Sequence, residues 1–180
     1  MEIKISTRQV LRILYILSWI LFIGLCVEAG SFFFNAFYTT VINPAAADYF
    51  GLTDLYAHDQ GRFLVQLLLM SIAGVLKALL FFLIVKILMD KKLNVAQPFN
   101  KEMWHFLRNL SWLALGIGLF SSWGAAYRDW LLQEGVPMPD AERLHIDGAS
   151  VWIFMGVTFI VIAQLFKRGI EIQSENELTI

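Results

Sequence analysis

Charged residues vanish from this chain four times. None lies between Arg12 and Glu28, Arg62 and Lys77, Arg108 and Arg128, or Asp147 and Lys167. Extended past an intrusive charge where needed, the apolar stretches cover residues 13–34, 63–87, 109–127 and 148–166. Each approaches the ~20 residues that cross a ~30 Å hydrocarbon core as a helix. The pattern predicts an all-α, polytopic membrane protein built as a four-transmembrane-helix bundle. Between the spans it leaves outer loops at 35–62 and 128–147, an inner loop at 88–108 and a tail at 167–180.

Breaks and caps fall where this layout needs them. Asn43-Pro44 interrupts the chain after the first span, and Pro137 and Pro139 interrupt the second outer loop. Asn100 is placed as an N-cap, with Glu102 in the first turn of the third helix. Trp104, Trp130 and Trp152 fall near expected interfaces, where amphipathic rings settle. The outer loops have room for short interfacial helices or a small cap. Small residues recur every four positions at Ala114, Gly118 and Ser122, and again at Gly74 and Ala78. Such spacing lets membrane helices approach closely, which predicts a compact bundle, with a homodimer through one such face as the alternative.

Composition agrees with one membrane domain. Hydrophobic residues make up 58% of the chain and charged residues 16%, with mean hydropathy +0.62. The basic residues are unevenly placed. Ten (Lys4, Arg8, Arg12, Lys86, Lys91, Lys92, Lys101, Arg108, Lys167, Arg168) fall on one side of the layout and three (Arg62, Arg128, Arg143) on the other. By the positive-inside rule both termini are expected in the cytoplasm. The first apolar run, at about 22 residues, exceeds the 7–15 of a signal-peptide core, so it reads as an uncleaved helix. Cys26 is the one cysteine, which leaves no internal disulfide and no Cys-x-x-Cys for thiol exchange.

Glu28 and Lys77 are the ionisable residues well inside spans. A charge at the bilayer centre costs about 2.5–3.5 kcal/mol on insertion scales, so each is expected to face other helices and find partners. Counting 1.5 Å per residue puts Glu28 about 24 Å above Arg12 and Lys77 about 13 Å above Lys86, a difference in depth of about 10 Å. Gln66 is closer in height to Glu28, and Thr158 is level with Lys77. The expectation is therefore an intramembrane polar column of Gln66, Glu28, Lys77 and Thr158. It serves either as a register-fixing structural set or as a proton- or substrate-coupled site.

Other chemistry is sparse. His58, His105 and His145 fall in outer loops or near the inner rim, where no pair could hold a haem in the core. His145, Asp147 and Glu142 make at best a loose metal set. There is no phosphate-cradling glycine loop, nucleophile elbow or hydroxyl–histidine cluster. Lys91-Lys92 is too small a patch for direct nucleic-acid binding. No enzyme, cofactor or resident metal is expected.

The chain ends in LFKRGIEIQSENELTI. This tail, with Pro98-Phe99-Asn100 in the inner loop, resembles a bacterial membrane family, domain of unknown function 2975. The matching tail residues are Phe166, Gly169, Glu175, Asn176, Leu178, Thr179 and Ile180. Glu177 and Ile180 stand where the family often has Asp and Val. The resemblance implies four helices in a bacterial cytoplasmic membrane and, through operons shared with helix-turn-helix regulators, a cytosolic transcription regulator as partner. The expectation is a regulatory or scaffolding membrane protein. Its partner would dock on Pro98, Phe99, Asn100, Glu175, Asn176, Leu178, Thr179 and Ile180. The alternative is a small transporter or proton-coupled permease working through Glu28 and Lys77.

Overall fold

The computed structural model describes residues 7–89 and 99–177, and among them every regular element is helical. Four long helices dominate: α1 (Thr7–Val41), α3 (Gln60–Met89), α4 (Lys101–Gln133) and α5 (Ala149–Glu177). A 3-10 helix (Pro44–Phe50) and the short α2 (Thr53–His58) fill the first interhelical loop. Three of the long helices, α1, α3 and α5, are long and apolar enough to cross a membrane. The fourth, α4, has 33 residues but carries more polar positions, among them Arg108, Asn109, Ser111, Ser121 and Ser122.

The helices outrun the apolar stretches. At 35 residues α1 is about 52 Å long, well beyond a ~30 Å core. What the hydropathy pattern assigns to loops and tail is therefore largely helix. Asn43 ends the α1 region and caps the 3-10 helix by accepting from the Ala45 N–H, with Pro44 preset for the first position. Gly51 closes that helix at φ +70°, a left-handed backbone that glycine adopts without a β-carbon clash. Asp59 starts α3 by accepting from the Arg62 N–H at 2.9 Å, and that bond holds its carboxyl below the usual carboxylate range. Asn100 caps α4 through the Met103 N–H at 2.8 Å.

Packing departs from the expected compact bundle. Among the described residues α1 packs on α3, α3 on α4 and α4 on α5, and no other pair of long helices is in contact. The helices form a row with α1 and α5 at its edges. The reason lies in where glycine permits close approach. A methyl at Gly74 would lie 3.0 Å from the Phe32 ring and 3.4 Å from Ala29 Cα, which seats α3 on α1. One at Gly118 would lie 2.5 Å from Ile153 Cγ1 and 3.0 Å from the Ala149 carbonyl. Gly156 answers from α5 against Leu115 of α4. Each glycine commits to one neighbour, and none brings α5 back to α1.

Successive helices run antiparallel, so the packing has two distinct ends. At one, the main core gathers Phe32 of α1, Phe50 of the 3-10 helix, Leu55 of α2 and Phe63 of α3. It also takes in Leu131 of α4, and Leu144 and Ile146 of the loop before α5. We refer to the 3-10 helix, α2 and loop 134–148 as the cap. A smaller cluster of Leu80, Leu110, Ala114 and Ile117 joins α3 to α4. Trp152 packs against this second cluster.

The glycine contacts make a paired prediction. Gly118→Ala should destabilise the protein by about 1–3 kcal/mol through overpacking of the α4–α5 contact. Gly24→Ala meets nothing within 4 Å and should be neutral or stabilising by up to about 1 kcal/mol, because glycine weakens a helix interior. Unfolding of both variants in one detergent checks the contrast.

Candidate functional site at the base of the cap

Lys77 lies near the middle of α3. It donates to the backbone carbonyl of His145 at 2.8 Å. That carbonyl belongs to the cap, 68 residues along the chain. The same residue turns its ring to α1, where Nδ1 lies 3.4 Å from Glu28 Oε1. Among the described residues Glu28 and Lys77 form no direct ion pair. His145 bridges them, its main chain on the cation and its side chain on the anion.

The cap loop is held in place from several sides. Leu144 and Ile146, flanking His145, are fully buried in the main core. Gly124 of α4 leaves room for the Ile146 side chain, since a methyl there would lie 3.2 Å from Ile146 Cδ1. Arg128 donates to the Pro139 carbonyl, and Arg143 to the Asp48 carbonyl at 3.2 Å. The His145 ring meets Phe32 and Phe50 edge-on, with centroids 5.8 and 6.5 Å away. Its side chain is 45% exposed and that of Glu28 24%, so the pair borders solvent-accessible surface rather than a sealed core.

The four residues of the expected polar column separate. Glu28 and Lys77 come together, and at the same level rather than 10 Å apart in depth. Antiparallel register places Phe32 beside Gly74 and Phe22 beside Phe82 (rings 5.7 Å apart), so Glu28 falls opposite the turn holding Lys77. Gln66 stays on α3 three turns nearer the cap, fully buried, with both amide atoms lacking a hydrogen-bond partner among the described residues. Thr158 does not join them. It lies on α5, which touches only α4, and its hydroxyl donates to the Phe154 carbonyl of its own helix. His145 is the member that sequence reading left out, because it sits in a loop. Among the described residues Glu142 and Asp147 do not join it in a metal-binding group.

The Glu28 carboxylate lies against the imidazole and the Lys77 ammonium holds the backbone carbonyl of the same residue. These contacts couple the position of the loop to the two helices that grip it.

The residues expected to dock a partner meet one another at the opposite end. Phe99 lies across α5, with its ring centroid 5.2 Å from that of Phe166. Its edge presses on Gly169, where a methyl would come within 2.6 Å of Phe99 Cδ1. The ring is still 43% exposed. The tail itself continues α5 without a break through Gly169 to Glu177, with Arg168 pairing to Glu171 at 3.0 Å along it. Glu175 lies on this helix, and Asn100 serves as the α4 cap. Pro98, Leu178, Thr179, Ile180 and the side chain of Asn176 lie outside the described residues.

A family model described as "Protein of unknown function (DUF2975)" matches residues 55–180. The match takes in Lys77, His145, Phe99 and the tail, and leaves α1 with Glu28 outside it. No curated protein and no solved structure matches the chain.

The bridge through His145 generates a test. Lys77→Met removes a hydrogen bond to a charged group, worth about 1.5 kcal/mol at the low end. Protease cleavage within residues 134–148 should then speed up by roughly ten-fold. Thr158→Val, which touches neither the cap nor the bridge, should leave cleavage unchanged. Limited proteolysis of the reconstituted protein reads both.

Proposed function

This chain belongs to the family of Protein of unknown function DUF2975, and from that premise we propose that it is a membrane-embedded regulator. In this reading it crosses a bacterial cytoplasmic membrane four times. The cap faces outward and both termini face the cytoplasm, where the tail holds a cytosolic partner, a transcription regulator being the leading class. The orientation rests on the ten-to-three excess of Lys and Arg, together with the meeting of helix ends around Phe99 and Gly169.

Two observations support α4 as the fourth span. It lies between α3 and α5, with Ser111 and Ser121 buried. It also carries a tryptophan under an arginine near each end, Trp104 with Arg108 and Trp130 with Arg62, each cation 4.8 Å from its ring. Those tryptophans are 26 positions apart in α4, or about 39 Å, close to a bilayer's thickness including its interfaces.

The regulatory reading is carried by α5. This helix begins four residues after His145 and runs unbroken for 29 residues, about 43 Å, to the acidic tail. It is a rigid connection between the Glu28–His145–Lys77 site and the surface around Phe99. A displacement of the cap loop has α5 as its direct route to the other side of the membrane, and the exposed face of Phe99 beside the tail offers a partner a shaped surface.

Crosslinking tagged protein in native bacterial membranes, with and without residues 175–180, tests this. A soluble DNA-binding protein captured only with the intact tail is the expected result. Capture that ignores the tail, or no partner at all, overturns the regulatory role and favours coupled transport at Glu28 and Lys77.

A further inference from the structure

His145 occupies a backbone position that ordinarily falls to glycine. Residues 141–146 close a helix-ending turn in which the Ile146 N–H donates to the Ala141 carbonyl and the His145 N–H to the Glu142 carbonyl. This is the pattern of bonds that commonly ends a helix on a left-handed glycine. Here the left-handed residue is His145, at φ +55°, and among the described residues no other residue than glycine has a positive φ. A β-carbon there crowds the following carbonyl oxygen. Strain of this kind persists where the surroundings hold it in place, and it clusters at switches and binding sites. The buried side chains of Leu144 and Ile146 supply the hold, and the left-handed turn aims the ring at Glu28.

We propose that His145 and Glu28 form a proton-controlled latch that fastens the cap to α1 and tightens when the imidazole takes up a proton. The proton comes from water, which reaches the half-exposed ring, and no other bond changes. The protonated ring has both nitrogens as donors, so Nδ1–H can close on a carboxylate oxygen that now lies 3.4 Å away. A hydrogen bond with both partners charged is about twice as strong as one between neutral groups.

The surroundings favour this direction. From α1 the groups at the ring are Glu28 and the uncharged Phe32, and from the 3-10 helix the uncharged Phe50, while Lys77 of α3 meets the residue at its carbonyl. Arg143 in the turn itself is engaged on the Asp48 carbonyl, while Glu142 and Asp147 are exposed acids of the same loop. Lys77 opposes a second positive charge, but it is engaged on the main chain of His145, whereas Glu28 lies against the ring. Coulomb energy falls with distance, so the contact attraction outweighs the more distant repulsion. Lys77 thus anchors the loop by its main chain, and Glu28 adds a second hold on the ring.

The latch supplies the input for the relay proposed above, and its test keeps the two apart. Full-length protein in phospholipid nanodiscs is followed by hydrogen exchange at about pH 8 and about pH 5.5, corrected for the intrinsic rate. Exchange across residues 141–147 should slow by roughly five-fold at the lower pH, the effect of about 1 kcal/mol of added hydrogen bonding. His145→Gly suits the left-handed turn, so it keeps the fold while removing the ring, and its corrected exchange should not respond to pH. Glu28→Gln should behave likewise. A wild-type response that is absent or reversed, or one that survives in His145→Gly, overturns the latch. The same data cover residues 166–172. If the cap responds while these do not, the latch stands and the relay through α5 fails.

Discussion

The hydrogen bond from the Lys77 ammonium to the carbonyl of His145 organises the molecule. A lysine in the middle of a 30-residue apolar helix needs an oxygen that can follow it into the membrane. A facing helix has few to give, because its own carbonyls are spent on its ladder. The free carbonyl comes instead from the cap, and drawing it down brings the rest of loop 134–148 with it. Leu144 and Ile146 then reach the core beside Phe32 and Phe63, Arg143 reaches Asp48, and the start of α5 is set against Gly118. One cation within α3 thus fixes where the last helix enters.

The row of helices follows from the bilayer as solvent. Lipid gives no hydrophobic drive for helices to cluster, so contacts form where small residues allow backbones to approach. Gly74 serves α1 and α3, while Gly118 and Gly156 serve α4 and α5. Nothing pulls α1 toward α5, and the two edge helices keep most of their apolar surface outward, as Ile13, Val27 and Phe34 on α1 and Phe154 and Leu165 on α5 show. The cap provides the cross-link that the helices do not, since His145 ties the α4–α5 loop back to α1. Phe99 adds to the existing contact between α4 and α5 at the tail end.

Much of this was legible in the residues, and the failures have physical causes. Apolar runs disclosed the long helices because hydropathy is a local property. Asn100 disclosed a helix start and Asn43-Pro44 the end of the first long helix, because caps and breaks are local too. Glu28 and Lys77 stood out as costly charges. Their depths could not be read by counting from Arg12 and Lys86, since register is set by Phe32 seating on Gly74. The small-residue stripe around Gly118 announced a close neighbour without saying which, so Thr158 was assigned to a site that α4 separates it from. His145 was hidden twice over: its backbone twist leaves no mark on a non-glycine residue, and what Lys77 uses is a carbonyl that every residue possesses. The sequence motifs around Phe99 and Gly169 were visible as a pattern, but their contact with each other depends on the antiparallel run of α4 and α5.

The central claim is that the cap loop reaches the level of Glu28 and Lys77 and rests between α1 and α3. It is tested most directly by replacing Glu28 and His145 with cysteine in a Cys26→Ser background and treating native membranes with a short bis-methanethiosulfonate. The account predicts efficient crosslinking within one chain, and none when the second cysteine replaces Thr158 instead. Absence of the Glu28–His145 crosslink, with both cysteines shown to be reactive, would contradict it.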